Sequence, residues 1–151
     1  MNKINEDFEE ICGYAHISNW APDWDVVIKI YNTIPESYSV LTPFAYSYLE
    51  EAIRSTTSEY GRELLDSNGN NKRRKLGKSL IDLAKKENSE NSEYIKILDE
   101  IKTYYNDSST FDKGDNRNSV VHGYMHPRFW TKESFEILIH DIARISKYIR
   151  F

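Results

Sequence analysis

The chain contains a single cysteine, Cys12, among its 151 residues. One thiol cannot close an internal disulfide, and no group of Cys and His residues has the paired spacing of a structural zinc site. The sequence also lacks any run of 18 apolar residues, and segment 1–7 is polar and acidic rather than basic and then apolar. We therefore expect no disulfide, no metal site, no signal peptide, no membrane span and a cytoplasmic location.

Several motifs of common enzyme classes are absent as well. The sequence contains no glycine-rich phosphate loop and no nucleophile elbow, so kinases and hydrolase-fold esterases are poor fits, and no cofactor is expected. Glu50 and Glu51 are adjacent and would project about 100° apart on a helix, which does not suit paired-carboxylate chemistry. Two roles remain open for them, namely facing solvent or positioning an arginine.

The composition is that of a folded protein. Hydrophobic residues make up 39% of the chain, charged residues 29% and aromatic residues 13%, which excludes extended disorder. The net charge of −4 is unevenly distributed, because residues 1–71 hold 4 Lys/Arg and 12 Asp/Glu whereas residues 72–151 hold 16 and 12. Either the basic half attracts a polyanion, or the charges interleave on solvated helix faces.

The apolar spacing predicts one all-α domain of about six helices, with no run of alternating strands. A first helix is predicted over 6–16, and a second from Pro22 to just before Pro35. Thr42 and Pro43 are typical of a helix start, and the helix that follows is predicted to reach Leu65. Later helices are predicted near 76–83, 94–104, 117–122 and 132–149, with Asp115 or Asn116 capping the third of these and Thr131 the last.

Residues 117–123, with the sequence Arg-Asn-Ser-Val-Val-His-Gly, are the most informative segment. The Arg117 guanidinium can fork onto phosphate oxygens, the His122 imidazole can accept and return a proton, and the Asn118 amide can orient either. On a helix Asn118 and His122 share a face, whereas Arg117 must use its long side chain to converge. These groups suit metal-free chemistry on a phosphodiester, and a second copy of the chain could complete the site.

The same residues also have plain structural roles open to them. Arg117 and Asn118 near a helix start could form a salt bridge and a cap. His122, followed by Gly123, could be a helix C-terminal residue favoured by the macrodipole.

The segment resembles the HEPN (higher eukaryote and prokaryote nucleotide-binding) superfamily, whose ribonuclease members share an Arg, a polar residue, a few more residues and a His. Here these are Arg117, Asn118 and His122. The helix at 44–51, the helix start at 76–81 and the apolar last helix also look like HEPN proteins. The resemblance covers roughly residues 40–151, so we expect 41–151 to form a HEPN-like core and 1–40 an N-terminal helical extension of the same domain.

The resemblance implies an antiparallel helical bundle that dimerises so that two Arg/His motifs line a shared cleft. Many HEPN proteins are metal-independent endoribonucleases of toxin–antitoxin or phage-defence systems. In that role Arg117 would bind the scissile phosphate, His122 would transfer a proton to or from the ribose 2′-oxygen or the leaving oxygen, and Asn118 would orient one of them. The expected partners are RNA, a second copy of the chain and a cognate antitoxin protein.

RNA rather than DNA follows from the chemistry, because a 2′-hydroxyl is an internal nucleophile already held near phosphorus. The alternative is a catalytically inactive HEPN-like helical module that binds RNA, nucleotide or a partner protein.

Weaker candidates for substrate binding lie beside the motif and in a basic run. They could contact RNA phosphates, or they could simply solvate a turn and a helix end. Trp20, Trp24 and Trp130 could likewise stack on bases or pack in the core. The weaker candidates are Tyr124, His126, Arg128, Lys72, Arg73 and Arg74.

Overall fold

A computed structural model describes residues 3–15, 19–108, 111–123 and 126–150. The described residues form seven α-helices and two short 3-10 helices, and their only β pairing is an isolated bridge between Leu65 and Asn71. The all-α prediction is confirmed. No helix in these ranges is long and apolar enough to cross a membrane. The α-helices are α1 (Lys3–Ala15), α2 (Ala21–Thr33), α3 (Tyr38–Ser55), α4 (Gly77–Glu87), α5 (Ser92–Ile101), α6 (Arg117–His122) and α7 (Lys132–Ser146), and the 3-10 helices are Lys102–Tyr105 and Pro127–Phe129.

Helices α3 and α7 form the centre of the bundle. α7 packs against α1, α3 and α5, while α3 also contacts α4 and α6. The predicted apolar stripe of α7 is buried, as Phe135, Leu138 and Ile142 show, and these side chains join one core cluster with residues from every other α-helix. Burying each such side chain contributes about 1.5–3 kcal/mol, so the stripe fixes α7 in the core.

Two tryptophans at the start of α2 pack against α3. The Trp24 ring lies 5.0 Å from the Tyr48 ring and 5.3 Å from the Phe44 ring, both edge to face. Trp20 makes the same kind of contact with Tyr48 at 5.5 Å. Because Trp24 and Trp130 are buried, the core role that the sequence left open for these tryptophans is the one observed.

The predicted limits of α3 were wrong at both ends. The helix begins at Tyr38, so Thr42 and Pro43 lie inside it, and the Thr42 hydroxyl donates to the Tyr38 carbonyl at 2.7 Å instead of capping a helix start. The helix ends at Ser55 rather than Leu65. There the Thr56 and Thr57 hydroxyls donate to carbonyls three residues back, at 2.8 Å each, which closes the last turn.

Helix α6 is short and held at both ends. The Asn116 side chain accepts a hydrogen bond from the Ser119 amide at 3.0 Å and donates to the Asn106 carbonyl at 2.7 Å, which confirms one of the two predicted caps. Gly123 ends the helix with φ +64°. Upstream, a Cβ on Gly114 would lie 2.9 Å from the Trp130 Cβ, so only glycine fits where this loop crosses the tryptophan.

Candidate functional site

Arg117, the first residue of α6, faces Glu50 on α3. The Arg117 Nε atom lies 2.7 Å from the Glu50 Oε1 atom, and the two side chains are 14% and 10% exposed. The N–H direction is too poorly aligned for a hydrogen bond, so the contact is an ion pair. Of the two roles left open for Glu50, positioning an arginine is the one observed. Glu51, on the same helix, is partly exposed and forms an ion pair with Arg54 at 2.8 Å.

Tyr105 forms the floor beneath this ion pair. Its ring centroid lies 6.0 Å from the Arg117 guanidinium carbon, and its side chain is buried. Burial, followed by the negative charge of Glu50, raises the pKa of Tyr105 far above its usual value, although Arg117 and Arg54 oppose this. The phenol therefore stays protonated at any working pH and cannot serve as a general base.

Arg117 and Asn118 open onto a cleft of about 310 Å³ at the start of α4. The two Nη groups of Arg117 make no hydrogen bond to any other described residue, so they can bind an anion that enters this cleft. Gly77 adopts φ +54°, and a Cβ there would lie 3.2 Å from the Tyr105 ring, so glycine lets α4 begin close to the floor. The lining residues are Leu76, Gly77, Lys78, Ser79, Tyr105, Arg117 and Asn118.

A second cleft, of about 340 Å³, adjoins the first. It shares Leu76 and Ser79 with the Arg117 cleft and is otherwise lined by Arg73, Arg74 and Lys75. The fold therefore brings two of the predicted basic residues beside the Arg117–Asn118 pair. Lys72, the third predicted basic residue, lines a different cleft, which also contains Glu59 and Glu63.

His122 lies at the far end of α6 and is exposed. Five residues along an α-helix correspond to a rotation of about 140°, so His122 and Arg117 project from different faces. Arg117 turns toward α3, whereas His122 makes no hydrogen bond or ion pair with the described residues. A single chain thus does not bring the imidazole and the guanidinium onto one face of α6.

Neither His126 nor Arg128 is among the described residues that line the Arg117 cleft. The His126 Nδ1 atom accepts a hydrogen bond from the Arg128 amide at 3.2 Å and so caps the 3-10 helix. The Arg128 guanidinium carbon lies 5.4 Å from the Phe129 ring. Tyr124 lies outside the described residues.

Sequence reasoning missed Lys78 and Tyr105, and it did not identify Arg117 as the arginine that Glu50 positions. Lys78 follows Lys75 by three residues, so the sequence does carry a signal for it. Tyr105 and the pairing of Glu50 with Arg117 left no local signal, because both depend on α3, α6 and the 3-10 helix Lys102–Tyr105 meeting in space.

No group of three or more His, Cys, Asp and Glu side chains among the described residues is arranged to hold a metal ion. Comparison with known protein families, with curated proteins and with solved structures finds no match for this chain. The HEPN resemblance therefore rests on the sequence of the motif and of the segments around it.

Proposed function

We propose that this chain is a HEPN-like endoribonuclease that cleaves RNA without a metal ion and acts as a homodimer. The observation that carries this proposal is the arrangement of Arg117. Its Nε atom is paired with Glu50, while its two Nη groups open onto a cleft that has no acidic lining residue among those described. Such a fork can take two oxygens of one phosphate.

Glu50 serves this role by fixing the guanidinium before substrate arrives. A buried, immobile donor stabilises developing negative charge more effectively than a mobile one, because it needs no reorganisation during the reaction. Glu50 offsets part of the positive charge of Arg117, so the site depends on the neighbouring Lys78 to attract a polyanion.

In the proposed reaction the ribose 2′-oxygen attacks phosphorus as the bond from phosphorus to the 5′-oxygen breaks. One proton leaves the 2′-oxygen and one is delivered to the 5′-oxygen, so the products are a 2′,3′-cyclic phosphate and a 5′-hydroxyl. Arg117 stabilises the charge on the phosphoryl oxygens, His122 transfers a proton, and Asn118 orients the phosphate.

The position of His122 is the reason for proposing a dimer. Because this imidazole projects about 140° away from Arg117 around α6, we propose that the His122 of a second copy completes the site that contains Arg117. The exposure of His122 and of its neighbour Val121, which is 44% exposed, is consistent with a surface that a second subunit covers.

The direct test is cleavage of single-stranded RNA in the presence of EDTA. We expect a 2′,3′-cyclic phosphate product, and no product when the ribose at the cleavage position lacks its 2′-hydroxyl. Arg117→Ala and His122→Ala should each abolish cleavage while far-ultraviolet circular dichroism stays unchanged. Lys86→Ala, at the opposite end of α4, is the control and should cleave normally. Cleavage retained in both motif variants would rule out the proposal.

A catalytically inactive RNA-binding module is the second candidate. It is favoured by the ion pair of Arg117 with Glu50 and by the separation of His122 from that pair. It predicts that RNA binds without product, that Arg117→Ala weakens binding, and that His122→Ala leaves binding unchanged.

We also propose, from the HEPN resemblance alone, that the chain is a toxin or a phage-defence effector with a cognate antitoxin. Expression in a bacterial host should then stop growth. The Arg117→Ala variant, produced at the same level, should not.

A further inference from the structure

Cations dominate the lining of the two clefts at the start of α4, although Arg117 and Lys75 also face Glu50 and Glu59. The two adjoining clefts together hold five Lys/Arg side chains, and no acidic side chain is among their described lining residues. The other described clefts are mixed. One between α1, α5 and α7 contains Asp7, Glu10 and Glu93 beside its cations, and the cleft at Lys72 contains two glutamates. We call the pair of clefts the α4 groove, and its cations are Arg73, Arg74, Lys75, Lys78 and Arg117.

Two of these cations are held by the protein and two are available. Lys75 lies 3.8 Å from Glu59, and an Nη group of Arg74 donates to the Arg62 carbonyl at 2.9 Å. Arg73 and Lys78 are exposed and form no ion pair with the described residues. The groove thus offers two solvated cations in addition to the Arg117 fork.

The backbone at the start of α4 also adds positive electrostatic potential to the groove. Leu76 occupies the N-cap position and supplies no side-chain acceptor to the first-turn amides. These amides carry the positive end of the helix dipole, so they add to the potential that Lys78 and Arg73 create.

We propose that the α4 groove binds the phosphate backbone of single-stranded RNA beyond the phosphate held by Arg117, with Lys78 and Arg73 contacting successive phosphates. The inference rests on the proposed function for the identity of the polymer as RNA. The groove reads charge rather than base sequence, because its side chains are cations and no aromatic ring other than the buried Tyr105 lines it among the described residues.

The experiment compares the binding of two RNAs that cannot be cleaved, a dinucleotide and a ten-residue strand, both 2′-O-methylated and fluorescently labelled. The wild-type protein should bind the longer strand more tightly. Lys78→Ala and Arg73→Ala should each weaken its binding several-fold. Each should also reduce the slope of log K against log salt by about 0.7, the value for one lost phosphate contact on a single strand. Arg73→Ala should leave binding of the dinucleotide unchanged, because Arg73 lines the second cleft and not the Arg117 cleft.

Lys86→Ala is the matched control, since Lys78 and Lys86 are both exposed lysines on α4 without ion pairs to the described residues. It should alter neither the affinity nor the salt slope. Equal weakening by Lys78→Ala and Lys86→Ala would overturn the groove, because the effect would then come from net charge alone. Equal affinity of the wild-type protein for the two RNAs would overturn it as well.

Failure of the groove and failure of the nuclease proposal give different results. If the wild-type protein binds RNA through the α4 groove but does not cleave it, the groove proposal is supported and the nuclease proposal is refuted. If cleavage requires Arg117 but is unchanged when Lys78 or Arg73 is substituted, the nuclease proposal is supported and the groove proposal is refuted.

Discussion

Glu50 on α3 holds the Arg117 Nε atom at 2.7 Å and thereby ties the motif helix α6 to the centre of the bundle. Both side chains are largely shielded from water, so the loss of either partner destabilises the fold, and the pair orients the guanidinium. An isolated charge at either position would remain beside the buried Tyr105 without its partner.

A double-mutant cycle on this pair should therefore show strong coupling. We expect Glu50→Ala and Arg117→Ala each to lower the free energy of unfolding, and the double variant to lose about 1–3 kcal/mol less than the sum of the two. Urea denaturation measures all four proteins. The control cycle uses Asp82 and Lys102, which lie 2.6 Å apart but are 57% and 33% exposed, and should give no more than about 1 kcal/mol. Equal coupling in the two cycles would show that burial of the first pair has no energetic effect.

Mixing two inactive variants tests whether the site is shared between subunits. Arg117→Ala and His122→Ala are each expected to be inactive, but a heterodimer would hold one site with Arg117 from one copy and His122 from the other. If subunits exchange freely, half of the dimers are mixed and each has one intact site, so about a quarter of wild-type activity should return. No return of activity, with exchange demonstrated by differently labelled subunits, would place the whole site within one chain.

Two glycines with open space around them should respond in opposite directions to alanine. Gly123 adopts φ +64° at the end of α6, so Gly123→Ala should lower the free energy of unfolding by about 1 kcal/mol. Gly13 lies within α1, so Gly13→Ala should raise it by about 0.5–1 kcal/mol. Thermal and urea unfolding of the two variants measure this difference. A loss of stability in both would mean that an unrecognised contact, rather than backbone conformation, governs at least one site.

Asp112, just before the motif helix, should make stability depend on pH. Burial raises the pKa of Asp112 above its usual value of 3.8, with neighbouring Asp115 adding to this and the Gly114 amide, which donates to Asp112 at 2.6 Å, opposing it. The folded state then binds more protons than the unfolded state above about pH 4. The contribution of Asp112 to the free energy of unfolding therefore falls as the pH rises from about 4 through the raised pKa of the folded state.

Asp112→Asn keeps an oxygen acceptor for the Gly114 amide and removes the titration. The fall in the free energy of unfolding between pH 4 and pH 7, measured by urea denaturation, should be smaller in this variant than in the wild-type protein. Asp107→Asn, at an exposed position, is the control for the loss of one carboxylate. A larger fall in the Asp112 variant would reverse the sign of the inference.

Features that depend on residues close together in the sequence could be predicted. The apolar stripe of α7 and the caps at Asn116 and Thr131 are all present, since each depends on spacings of three or four residues. The limits of α3 were missed because two local signals conflicted with the packing. Pro43 lies inside the helix, in its second turn, although a proline there forgoes one backbone hydrogen bond and more often marks a helix start. The run of hydroxyls after Ile53 ends the helix despite the apolar residues beyond it.

The site was only half predictable for a different reason. Arg117 and Asn118 carry chemistry in their own side chains, so their pattern is visible in the sequence. The partner of Arg117 and the adjoining groove arise where α3, α4 and α6 meet, and contacts between distant segments leave no periodic trace. The rotation of about 140° between Arg117 and His122 follows from their spacing in the sequence. The direction of the Arg117 side chain, toward Glu50, does not.

The contact between Gly114 and Trp130 also bears on how relatives of this chain could be traced. A side chain at 114 would meet the Trp130 Cβ, an atom that every residue except glycine carries, and the positive φ of +91° at 114 also favours glycine. A glycine three positions before the Arg-Asn-x-x-x-His segment is therefore expected in any relative that keeps this crossing. That glycine would help to separate true descendants from chains that share the short motif by coincidence.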